Sequence, residues 1–154
     1  LIDNGDPAGA EAAADRLLTV EPTSVDGMVV KGRAVLARAK ASRKPEDFAT
    51  ARSWFNKANR IATEDPEPLI WYYRSFGEQG TAPTANAIAA LIYASDLAPQ
   101  DMGLRLTVAQ HLVAQGKSTE ALRRLAPVAY NPHGGRLAEQ AQALTNQLRT
   151  AAAR

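Results

Sequence analysis

Three prolines set the frame of this chain. Pro66, Pro99 and Pro132 stand 33 residues apart, and the apolar residues between them recur at i, i+3, i+4 and i+7. That spacing is helical. Proline ends a helix because it lacks an N–H and crowds the preceding turn. Asp6-Pro7, Glu21-Pro22, Lys44-Pro45 and Ala82-Pro83 add turns or helix starts of the same kind. No strand-like alternation bounded by hairpin turns interrupts the pattern, so the chain is predicted all-α. The predicted helices cover 7–19, 24–41, 46–63, 67–79, 83–96, 101–115, 118–130 and 136–152. Asp101, Thr84 and the run Ser118-Thr119-Glu120 are suited to helix N-termini. Gly116 suits a left-handed helix end.

The residues between the prolines repeat in kind as well as in number. From Trp71 the chain reads Ala87, Leu91, Ala94 and Pro99 at steps of 16, 4, 3 and 5. From Arg105 it reads Ala121, Leu125, Val128 and Pro132, with the last step one shorter. The start reads Ala10, Ala14, Leu17 and Pro22, again at 4, 3 and 5, and Gly5 precedes Ala10 as Gly116 precedes Ala121. Alanine makes up about a fifth of the sequence. Small residues in one slot imply that two helices cross closely there.

These residues resemble the tetratricopeptide repeat (TPR), a helix–turn–helix of about 34 residues with Trp, Gly, Ala, Phe, Ala and Pro at set steps. The resemblance runs from residue 1 to about 132 and is of the alanine-rich bacterial type. It implies one TPR-like domain over 1–154, a right-handed α-α superhelix of about three and a half repeats. A partial repeat would cover 1–22 and full repeats about 23–66, 67–99 and 100–133. A capping helix over 136–152 would follow, with Leu137, Ala141, Leu144 and Leu148 as its apolar stripe. Leu1-Ile2 reads as the tail of a first helix, so the chain reads as cut inside a repeat.

The segment 25–66 departs from the pattern. Met28 takes the Trp slot and Gly32 the small slot, but Met28 to Ala51 is 23 residues rather than 16. Seven extra residues are about two helical turns. They predict either a lengthened helix pair or a longer Ser42–Glu46 loop.

Composition narrows the chemistry. With Cys 0, disulfides, thiolate metal sites and CxxC redox motifs are excluded. His111 and His133 lie 22 residues apart with no HExxH or HxxxH spacing. No GxGxxG, Walker or GxSxG motif occurs. We therefore expect no metal, no cofactor and no catalytic activity. His133, in the turn Asn131-Pro132-His133-Gly134-Gly135, suits capping of the carbonyls of helix 118–130. No apolar run approaches the length of a membrane span.

Lys31, Arg33, Arg38, Lys40, Arg43 and Lys44 form a run without an intervening acid. On a helix Lys31 shares a face with Arg38, and Arg33 with Lys40. The run reads either as a solvated face or as contact with an acidic partner or phosphates. The net charge of only +2 and the lack of interleaved aromatics disfavour nucleic acid.

Four of the nine aromatic residues, Trp71, Tyr72, Tyr73 and Phe76, fall within six positions. Trp71 matches the repeat's Trp and is expected in the core. The resemblance implies that first helices line a concave surface, with ligand-facing slots at Val29 and Arg33, at Tyr72, Phe76 and Gln79, and at Leu106 and Gln110. Tyr72 and Phe76 read either as interhelix packing or as lining of a partner groove. Some family members bind acidic C-termini through a clamp of Lys, Asn and Arg, which these slots do not hold. They suit a mixed apolar and polar groove.

The function implied is a non-catalytic scaffold for a protein or peptide segment. Two alternatives stand beside it. One is a regulatory or substrate-presenting C-terminal domain of a larger bacterial enzyme, such as a peptidase. The other is self-association, as a homodimer through the uncapped N-terminal face.

Overall fold

The computed structural model describes residues 6–152. Eight helices occupy them: α1 (Pro7–Val20), α2 (Val25–Ser42), α3 (Pro45–Ile61), α4 (Pro66–Gln79), α5 (Ala85–Leu97), α6 (Met102–Ala114), α7 (Ser118–Ala129) and α8 (Gly135–Ala152). No strand occurs among the described residues. Every helix matches its predicted range to within two residues at each end. The reading of Leu1-Ile2 as a helix tail, and the Gly5 match, lie outside the described residues.

Local chemistry explains most of these boundaries. The Asp6 carboxylate accepts from the Gly9 N–H at 2.8 Å, and Pro7 opens α1. The Ser24 hydroxyl accepts from Gly27 N at 3.2 Å, Asp65 from Glu67 N at 2.9 Å, Thr84 from Ala87 N at 3.2 Å and Asp101 from Leu104 N at 2.9 Å. Each bond satisfies a donor that the first helical turn leaves unpaired.

At α7 the expected hydroxyl cap is not made. Gly116 adopts φ 73°. Its N–H bonds Val113 O at 2.9 Å, and the Lys117 N–H bonds Leu112 O at 2.8 Å. This left-handed closure of α6 makes Lys117 the N-cap of α7. Ser118 therefore lies one residue too late to cap. Glu120 still places its carboxylate in the first turn.

The chain forms two compact units, one ending at Leu97 and the other beginning at Ala98. In the first, α2 packs against α1, α3 and α4, and α4 packs in turn against α3 and α5. In the second, α7 packs between α6 and α8, and α8 also touches α6. In the first unit α2 and α4 each pack on their own partner helix, on the preceding second helix and on each other.

The alanine slots sit where these helices cross. Ala51, Ala58, Ala87, Ala94 and Ala121 are completely buried, and Ala10 is buried as well. Phe55, Leu91 and Leu125 fill the neighbouring slot and are buried as well. Leu17 breaks the series at 38% exposed.

The seven extra residues of the second segment lengthen its helices. α2 has 18 residues and α3 has 17, against 14 and 13 for α4 and α5. Only Arg43 and Lys44 separate α2 from α3, with Arg43 at φ 58°. The long-loop option is thus excluded. The added turns carry Val35, Leu36, Ala39 and Phe48, which join Ala51 and Phe55 in one buried cluster. Burying that apolar surface makes helix extension more favourable than a solvated loop.

The stripe of α8 differs from expectation by one position in places. Ala138, Ala141, Thr145 and Leu148 are buried, while Leu137 is 38% exposed and Leu144 is half-buried. Small Ala138 lets α8 approach closely, and Gln142 Nε2 donates to the Ala129 carbonyl at 2.7 Å across the α7–α8 contact. That bond also satisfies a C-terminal carbonyl of α7, the task expected of His133. The His133 backbone N–H instead bonds Asn131 Oδ1 at 3.0 Å, closing the turn.

Candidate interaction surface

The basic run on α2 is divided between two neighbouring helices. Lys31 Nζ lies 2.9 Å from Glu11 and 2.7 Å from Asp15 of α1, and Arg38 reaches Glu11 at 2.8 Å. On the other side Arg33 lies 4.7 Å from the centroid of the Trp71 ring, and Lys40 bonds Glu78 of α4 at 2.7 Å. The sharing of faces by Lys31 with Arg38, and by Arg33 with Lys40, thus follows the sequence pattern. These four cations join helices within the chain, while Arg38, Lys40, Arg43 and Lys44 remain exposed, so the run is a solvated face only in part. Burial alone would lower the Lys31 pKa, but the bonds from Asp15 and Glu11 outweigh it and hold the ammonium above its ordinary value.

α4 presents two faces of different character. Tyr72, Phe76 and Gln79 turn toward α3. Phe76 is buried, Tyr72 meets it edge-on at 5.6 Å, and Arg52 of α3 stacks on the Phe76 ring at 4.4 Å. The Arg52 guanidinium also donates to Gln79 Oε1 at 2.8 Å and to Ser75 Oγ at 3.4 Å. Burial lowers the Arg52 pKa, while the Tyr72 side chain acts in the opposite sense.

The outward face of α4 carries Glu67, Trp71, Arg74 and Glu78, which share one side at steps of 4, 3 and 4. Trp71 is half-buried rather than in the core. Its ring stacks on Phe55 at 6.5 Å, its Nε1 donates to Glu67 at 3.3 Å, and Arg74 lies 5.3 Å from its centroid. Two guanidiniums and a carboxylate therefore surround one indole.

The seven predicted ligand-facing residues are placed as follows. Val29, Phe76 and Leu106 are buried. Val29 packs with Met28 and Ala58, and Phe76 lies beneath Arg52. Arg33, Tyr72 and Gln79 are half-buried, and Gln110 of α6 is exposed. In the first unit, Tyr72, Phe76 and Gln79 come together on the side of α4 that meets Arg52 of α3, with Tyr72 and Gln79 half-buried. Arg33 joins the outward α4 face through Trp71. Sequence reasoning missed Arg52 and Arg74, and named Tyr73 only as a member of the aromatic cluster. The polar residues Glu67, Arg74 and Glu78, spaced 7 and 4, carry the signal that would have marked the outward side.

Among the solved structures the chain is similar to a thermophilic TPR protein of Thermus thermophilus. The TM-score is 0.64 at 18% sequence identity, over 99% of this chain and 76% of that one. The fold is TPR-like. No family model matches the chain, and no curated protein matches it in sequence. The TPR-like fold agrees with the packing of α2 and α4 on their neighbours and with the buried alanine slots. Among the described residues of this TPR-like chain, no helix is long and apolar enough to cross a membrane.

Proposed function

We propose that this chain is a non-catalytic scaffold that binds a protein or peptide segment on the face formed by its first helices. Its repeats would stack as a right-handed superhelix of about three and a half units over 1–154, with α8 as the cap. The carrying observation is the outward side of α2 and α4. There, Arg33 and Arg74 stack on the half-buried Trp71 indole. Aromatic and Arg side chains with one face packed and one face open are the usual anchors of protein interfaces.

Among the positions that the sequence marks as ligand-facing, Arg33 on this face and Gln110 on α6 are the ones we assign to partner contact. Tyr72 and Gln79 support the face from behind, and Val29, Phe76 and Leu106 hold the helices. The test compares partners crosslinked to the native chain and to an Arg74→Glu/Glu67→Lys variant of equal helicity. Loss of the crosslinked partners supports the reading; an unchanged set overturns the placement on α4.

A second reading is self-association through α1, where Leu17 is 38% and Val20 79% exposed. Sedimentation should then show a dimer that Leu17→Glu dissolves. A monomer at high concentration would exclude it.

A further inference from the structure

Gly77 lacks the reason that the other interior helical glycines of the first unit have. At Gly27 and Gly32 an added β-carbon would meet Leu17 and Leu18 at 3.2 Å, or the Phe55 ring at 2.5 Å. At Gly77 an added β-carbon meets nothing within 4 Å. Its φ is not positive either; that requirement falls on Gly80, with φ 76°, which closes α4. A glycine in a helix weakens it relative to alanine. Here nothing inside the protein compensates.

Gly77 is also in the floor of an open cleft of about 480 Å³, lined with it by Tyr73, Arg74, Glu78 and Pro83. The Glu78 carboxylate is bonded by Lys40 Nζ at 2.7 Å, so its charge is offset. Arg74 is exposed, and its guanidinium is oriented by the Trp71 ring at 5.3 Å. The charge left facing the cleft is therefore positive. Tyr73 and Pro83 supply apolar walls.

We propose that this cleft seats an extended acidic peptide whose main chain passes over Gly77 while a side-chain carboxylate pairs with Arg74. The missing β-carbon allows a backbone to approach the helix to contact distance. A guanidinium offers two parallel N–H donors to a carboxylate. This proposal rests on the scaffold reading and narrows it to one subsite and one ligand chemistry.

The experiment selects random heptapeptides displayed on phage against the purified chain. The recovered peptides are then synthesised and titrated against variants. Enrichment of Asp or Glu is expected, with affinity reduced at least tenfold by both Arg74→Ala and Gly77→Leu. Gly77→Ala should weaken binding while raising the melting temperature, a pair of effects that a purely structural glycine would not give. Non-acidic peptides, or acidic ones that bind Gly77→Leu as tightly as the native chain, overturn the proposal and leave the scaffold reading standing. Recovery of no binding peptide overturns this proposal as well, and the scaffold reading then rests on the crosslinking test.

Discussion

Gly32 lies directly against the Phe55 ring: a β-carbon on Gly32 would sit 2.5 Å from Phe55 Cε1. The contact joins α2 to α3 at the centre of the lengthened pair, where Phe55 is fully buried. Gly32→Ala gains helix propensity of about 1 kcal/mol but forces the ring off its position. Overpacking of this kind costs about 1–3 kcal/mol, so we expect a net loss of stability in urea denaturation. Phe55→Leu in the same chain should recover part of the loss; independent, additive effects would refute the contact.

The alanine slots predict a sharp contrast along the chain. Ala87→Leu adds a branched side chain where exposure is zero and should cost about 1–3 kcal/mol. Ala143→Leu, on the exposed side of α8, should change stability by no more than about 0.5 kcal/mol. Thermal melts of the two variants test the assignment of helix crossings.

The caps differ in the same way. Asp101→Ala removes the bond to Leu104 N and should cost about 1 kcal/mol. Ser118→Ala removes no cap, because Lys117 occupies that position, and should stay within about 0.5 kcal/mol. Equal losses at both sites would contradict the closure at Gly116.

The Lys31 network should make stability fall at high pH. Lys31 titrates above its ordinary 10.5 in the folded chain, so its share of stability is complete below that value. That share is lost as pH rises through the folded pKa. Tyr73 acts with the same sign: burial raises its pKa above 10.0, so the unfolded chain releases this proton first. A double-mutant cycle of Glu11→Gln and Lys31→Met should give coupling of about 1 kcal/mol at pH 7, reduced by salt and vanishing at alkaline pH. Coupling that survives there would remove the ion pair as its source.

The all-helical class, the eight helices and the buried small slots were legible in the sequence. Proline, capping residues and 3.6-residue periodicity act over short stretches of chain, so they can be read without knowing the neighbours. The pairing of Lys31 with Arg38 and of Arg33 with Lys40 was legible for the same reason. What those cations bind was not: Glu11, Asp15, Trp71 and Glu78 lie on other helices, at sequence distances that no local rule spans.

The outward face of α4 was likewise decided only in three dimensions. By local pattern Tyr72, Phe76 and Gln79 form as good a face as Trp71, Arg74 and Glu78. Arg52, arriving from α3, stacks on Phe76 and bonds Gln79, which buries Phe76 and leaves Arg74 of the second set exposed. The same holds for α8, where close approach through Ala138 and Ala141 buries Thr145 and leaves Leu137 exposed. Sequence by itself determined where this chain is helical and which residues are small enough for helices to cross. Tertiary packing alone decided how each helix is rotated about its axis. A helix has several partly apolar sides, and only contact with its neighbours selects the one that is buried.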